Sequence, residues 1–111
     1  MNSKDKLKPG EICQIKLKGL IFSSEGYATV GTGDSKSVRV FENISLTGYP
    51  SHNDFKGEST AIKEGDIAIV VKFIGRPHKI KTDPKWFKFD IYEVLIKGVR
   101  RQMFRQNLKK I

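Results

Sequence analysis

Between Gly75 and Phe89 the chain alternates cations with rings: Arg76-Pro77-His78-Lys79-Ile80-Lys81-Thr82-Asp83-Pro84-Lys85-Trp86-Phe87-Lys88. Arg76, Lys79, Lys81, Lys85 and Lys88 are suited to phosphate oxygens, and Trp86 offers a flat face to an unstacked base, a contact worth roughly 1–3 kcal/mol per base. The same composition also suits a basic hairpin loop whose Trp86 packs on its own domain, the usual place for a large aromatic. Farther along, Arg100, Arg101 and Arg105 extend the basic surface if the fold brings its last strands beside this loop.

Other chemistry finds less support. His52, His78 and the single Cys13 supply neither a four-ligand zinc set nor a Cys-His pair of recognisable spacing. Gly31-Thr32-Gly33-Asp34-Ser35 lacks the Gly-Lys-Ser/Thr ending of a phosphate loop and reads as a turn between strands. Asp83, Asp90 and Glu93 stand among Lys81, Lys85, Lys88 and Lys97, cations that keep carboxylates ionised, so they read as solvated counter-charges and not as an acid/base pair. The expectation is a non-enzymatic protein without cofactor or metal.

Charge sharpens this reading. The net charge is +9 over 111 residues. Residues 1–70 hold nine Lys and Arg against nine Asp and Glu, whereas residues 71–111 hold twelve basic side chains against three acidic ones, 12 − 3 = +9. An excess confined to one part of the chain points to a polyanionic partner, RNA or DNA first. An acidic protein partner is the alternative, with assembly of several copies also open, and lysine serving only solubility is the plainest reading. No apolar run approaches the roughly 18 residues of a membrane span, and the charged N-terminus lacks the apolar core of a secretory signal, so no membrane partner and a cytoplasmic location are expected.

The elements that must position these residues read as strands. Residues 1–9 form a flexible basic arm ending at the Pro9-Gly10 turn, and 10–111 form one domain. Alternation over 11–22 sets Ile12, Gln14, Lys16 and Lys18 on one side of a strand and Glu11, Cys13, Ile15 and Leu17 on the other, with a small buried thiol expected at Cys13 and a bulge or bend near Gly19. Tyr27-Ala28-Thr29-Val30 and Ser37-Val38-Arg39-Val40-Phe41 read as a hairpin around Gly31-Thr32-Gly33-Asp34. Residues 45–64 are rich in turn formers and read as a long internal loop. Gly65-Asp66 opens the strongest strand, 67–74, whose continuous apolar run suits a central position. A strand over 86–96 sets Phe87, Phe89 and Ile91 on one face and Tyr92, Val94 and Ile96 on the other, which requires a bulge near Asp90. The tail after Gly98 reads as a short strand followed by a helical turn, or as one helix placing Arg101, Arg105 and Lys109 four residues apart.

Lys8-Pro9-Gly10-Glu11-Ile12 opening a first strand and Gly65-Asp66-Ile67-Ala68-Ile69-Val70-Val71 opening a central one resemble small β-barrels of the Src-homology-three-like, KOW and Sm-like type. Tyr92-Glu93-Val94-Leu95-Ile96-Lys97-Gly98 is similar to the penultimate strand of small barrels common among phage-encoded proteins. The resemblance implies a mostly-β fold: a single five-stranded SH3-like or Sm-like barrel with a long internal loop and a short C-terminal strand or helical turn. KOW and Sm-like domains often bind RNA, DNA or the transcription machinery, and related barrels bind peptides, so the function this implies is an analogy of fold.

Overall fold

In the computed structural model, which describes residues 6–16, 38–46, 55–77 and 89–111, every regular element is a strand apart from one turn of 3-10 helix. The strands are β1 (Ile12–Ile15), β2 (Val38–Ile44), β3 (Phe55–Ile62), β4 (Ile67–Gly75), β5 (Ile91–Ile96), β6 (Val99–Phe104) and β7 (Leu108–Lys110), with the 3-10 turn at Arg105–Asn107 between the last two. They form one antiparallel sheet in the order β3-β2-β6-β5-β4-β1-β7. The protein is mostly β, as expected; its strands number seven where five were expected, and they form one sheet that is not closed.

Connection length forces the sheet to roll. Three strands lie between β6 and β7. Crossing four strand spacings of a flat sheet covers about 19 Å. Phe104 and Leu108 are only four residues apart, a reach of at most about 14 Å extended and about 8 Å at the rise of a 3-10 helix. The strands β6-β5-β4-β1-β7 therefore curl until the chain can step from one side to the other.

Buried polar contacts fix this corner. Asn107 is fully buried, its Nδ2 donates to the Lys16 carbonyl at 2.6 Å, and the Lys16 N–H donates to the Asn107 carbonyl at 2.9 Å. The Arg105 N–H donates to the Asp90 carbonyl at 2.7 Å, and Arg105 Nη1 donates to the Leu108 carbonyl at 2.6 Å. The strand-first reading of the tail therefore describes it, with a 3-10 turn as the helical piece.

Period-two burial supplies the interior. Cys13 and Ile15 of β1, Ala68 and Val70 of β4, and Tyr92, Val94 and Ile96 of β5 are all buried, and the first strand buries the side expected of it. In β4 the register slips between Val70 and Lys72 and again between Phe73 and Gly75, two irregularities that bend the strand. The second lies opposite Ile91 and Tyr92, so the change of phase expected near Asp90 is absorbed by the partner strand. Both Ile91 and Tyr92 are buried as a result, and Phe104 beyond them meets Phe89 and Phe55 edge to face, with centroids 5.7 and 6.2 Å apart.

Other boundaries move. Eight residues of the stretch read as a loop over 45–64 are β3, paired along β2 from Val38↔Ile62 to Ile44↔Phe55. Turn-forming composition hid this strand because Gly57 and Glu58 sit at a register shift; Gly57 has φ +93°, and a Cβ there would collide with the side chain of Glu42. Regular pairing of the strand read over 86–96 begins only at Ile91, and 86–88 lie outside the described residues. So do Tyr27-Ala28-Thr29-Val30 and the turn after it, leaving Val38 to Phe41 as the observed part of that expected hairpin. Leu7, within the stretch read as an arm, is buried in the core, and its N–H donates to the Tyr92 hydroxyl at 3.2 Å.

Glu11 ties this N-terminal turn to the sheet edge. Its carboxylate accepts from the Lys8 N–H at 2.5 Å and lies 3.0 Å from Lys110 Nζ. The Lys8 bond, then Lys110, hold its pKa below the ordinary value. A lowered folded-state pKa gives stabilisation that is complete above the unfolded value and is lost as pH falls through the folded one. Wild-type stability should therefore decline below the ordinary glutamate range, and Glu11→Gln should flatten that part of the urea-midpoint profile; parallel profiles would refute the assignment. Asn107→Ala should cost about 1–3 kcal/mol by leaving the Lys16 carbonyl without its donor, and urea unfolding with unchanged m value is the check.

Candidate nucleic-acid interface

The ladder that ends β4 and starts β5 pairs Gly75 with Ile91, and the residues just beyond are joined by charge. Arg76 Nε lies 2.5 Å from Asp90 Oδ1, with only 12% and 5% of the two side chains exposed. Pro77 is buried beside them. Residues 78–88 are therefore the connection between two strands, and the contact between Arg76 and Asp90 clamps its base. Lys79, Lys81, Lys85, Trp86 and Lys88 all belong to that connection and lie outside the described residues.

Asp90 overturns one expectation. It is a buried ion-pair partner and not a solvated counter-charge, because the corner at Arg105 also recruits its carbonyl and draws the residue inward. Sequence proximity to lysines could not distinguish the two cases. Arg76 correspondingly acts as the clamp of the loop, with its Nε turned to protein.

The three later arginines separate. Arg100 on β6 is 71% exposed and lies 3.5 Å from a Glu93 carboxylate oxygen. Arg101, its neighbour, points the other way and is buried: Nε donates to Thr60 Oγ1 at 3.0 Å, Nη1 donates to the Arg100 carbonyl at 2.7 Å, and Glu42 and Glu58 lie 4.0 and 3.8 Å away. It ties β6 to the β2–β3 pair. Arg105 is spent on the corner already described. A sheet alternates faces at every residue, so Arg100 and Arg101 cannot share one contact surface.

The geometry adds an aromatic that sequence reasoning missed. Phe73 is half exposed although it lies inside the most apolar strand, and its ring meets Tyr92 edge-on at 5.3 Å. Lys6 Nζ stands 6.0 Å from the Phe73 centroid, at the outer limit of a cation–π contact. Phe73 lies three residues before Arg76, on the strand that leads into the 78–88 connection. A continuous apolar run signals burial on both faces; the register slip after Val70 turns Phe73 from the face of Ile67 and Ile69 to that of its ladder partner Tyr92, where its ring is still half exposed, and nothing in composition marks that slip.

Two buried groups have raised pKa values. Burial pushes the Cys13 thiol up, away from the reactive thiolate, and burial likewise raises the Tyr92 phenol. Among the described residues no group of three His, Cys, Asp or Glu side chains is placed to hold a metal ion, and no helix is long and apolar enough to cross a membrane. Comparison of the chain with protein-family models, with curated proteins and with solved structures finds no match.

Cutting the clamp should loosen the base of the connection. Asp90→Ala should destabilise the protein by roughly 2–3 kcal/mol, since breaking a largely buried pair leaves a guanidinium without its carboxylate. Urea unfolding measures the loss, and hydrogen exchange should show faster exchange at the amides of Ile91 and Tyr92 than at those of Cys13 and Ile15. Uniform acceleration would mean that the pair is not local to the loop.

Proposed function

We propose that the chain is a non-enzymatic, cytoplasmic nucleic-acid-binding small β-barrel that grips phosphates with the β4–β5 connection and offers Trp86 and Phe73 to unstacked bases, with little base-specific readout. The observation that carries the reading is the division of charge. The whole +9 excess belongs to residues 71–111, and within that stretch Arg76, Arg101 and Arg105 direct guanidinium nitrogens to protein acceptors. Lys79, Lys81, Lys85 and Lys88 all fall between Arg76 and Asp90, whose side chains are held together. The SH3-like part of the proposal draws support from the rolled sheet in which β7 returns to β1 through a 3-10 turn.

A loop of this kind reads charge and shape. Lysine ammonium groups are point charges that follow a phosphate backbone without fixing a base, and an exposed ring accepts the face of any base. Single-stranded nucleic acid suits both features, because its bases are free to leave the stack.

Fluorescence anisotropy of labelled single-stranded and duplex oligonucleotides tests this. Four phosphate contacts should weaken affinity between about 50 and 200 mM salt by roughly 50-fold for single strands and roughly 150-fold for duplex. Reversing Lys79, Lys81, Lys85 and Lys88 to Glu should abolish binding while leaving the thermal transition in place, and Phe73→Ala should cost about 1–3 kcal/mol on single strands only. Absence of binding at the lowest salt overturns the proposal.

A further inference from the structure

The outer face of the sheet carries an apolar row that its own core does not use. Ile12 on β1 pairs with Ile69 on β4, and Ile69 pairs with Leu95 on β5, so the three side chains stand side by side on one face. They are 51%, 39% and 39% exposed. Ile67, one row farther along opposite Gln14, is also exposed. Their strand neighbours Cys13, Ala68, Val70, Val94 and Ile96 point the other way and are buried. An antiparallel sheet with one solvated face ordinarily places polar residues there, and four branched aliphatic side chains in adjacent rows form a contiguous patch of the kind that marks a contact surface.

Charge around the row selects what fits it. Lys97 lies 3.5 Å from Asp66, and Lys110 lies 3.0 Å from Glu11, so these pairs cancel. Glu93 stands between Arg100 and Lys72, its partner in the ladder, leaving one cation in excess. Lys109, opposite Gln14 in the ladder, adds a second. A second copy presenting the same face would bring these excess cations toward their equals, whereas a partner with carboxylates beside its apolar side chains would be attracted.

We propose that this face of β1, β4 and β5 receives a protein segment whose apolar side chains are bordered by carboxylates. Along β4 the row lies away from the clamp of Arg76 and Asp90: Ile69 and Gly75, where the strand ends, are six residues apart, at most about 20 Å of extended strand.

The probe is a short fluorescein-labelled peptide alternating Leu and Glu, compared with peptides alternating Ser and Glu and alternating Leu and Lys, all on the full chain carrying the four-lysine reversal of the loop. The Leu-Glu peptide should bind at least tenfold more tightly than either comparison. Ile69→Thr with Leu95→Thr should weaken it at least tenfold, and threonine keeps the β-branched character a strand favours. Should that variant unfold, Lys72→Glu with Lys109→Glu leaves the apolar row intact and should reverse the preference toward the Leu-Lys peptide. Equal binding of all three peptides, or an unchanged preference in the charge variant, overturns the proposal. A concentration-dependent dimer in sedimentation that Ile69→Thr dissolves would assign the face to a second copy, and binding to vesicles of anionic lipid lost in the same variant would assign it to a membrane surface; either result also overturns it.

Discussion

A three-residue turn has to carry the chain between strands that are not neighbours, and the rest of the architecture follows from that shortage of length. Arg105–Asn107 joins β6 to β7 while β5, β4 and β1 lie between them, so the sheet bends or the chain cannot connect. The reciprocal bonds between Asn107 and Lys16 hold the end of β1 against this corner, and β7 then completes β1's other ladder. The two register slips in β4 let a central strand bend with it. Curvature encloses a core from a single sheet, in which Tyr92, Val94 and Ile96 face Cys13, Ile15 and Val70 without a second layer or an α-helix among the described residues.

The same corner organises the electrostatics. By drawing the Asp90 backbone to Arg105 it buries a carboxylate, and a buried carboxylate requires a cation. Arg76 supplies it, and the meeting point of the two fixes the ends of the 78–88 connection. Arg101, on the inward side of β6, is used in the same way to attach the β2–β3 pair. Arginine suits such places because its planar fork reaches several acceptors at once. Lysines fasten as well, Lys97 to the Ala61 carbonyl and Lys110 to Glu11, while Arg100 stays largely exposed.

Strand content, the buried side of the first strand, the central place of β4 and the strand-then-turn ending could be read from alternation and from glycine and proline positions, because those signals act over a few neighbouring residues. The local charge excess was equally plain, since counting requires no fold. What could not be read is everything that depends on partners distant in the chain. β3 was hidden among turn formers because its pairing with β2, and not its own composition, makes it a strand. The fate of each arginine depended on which face of β6 it occupied and on what lay across the ladder, so Arg100 and Arg101, identical and adjacent, ended in opposite environments. The outer row of Ile12, Ile69 and Leu95 is exposed although these residue types argue for burial, for the core takes only one face of each strand and register decides which. Composition and periodicity therefore determined what kinds of element this chain forms and how much charge it carries; tertiary structure alone decided which side chains remain available, because availability depends on contacts between residues that sequence order keeps far apart.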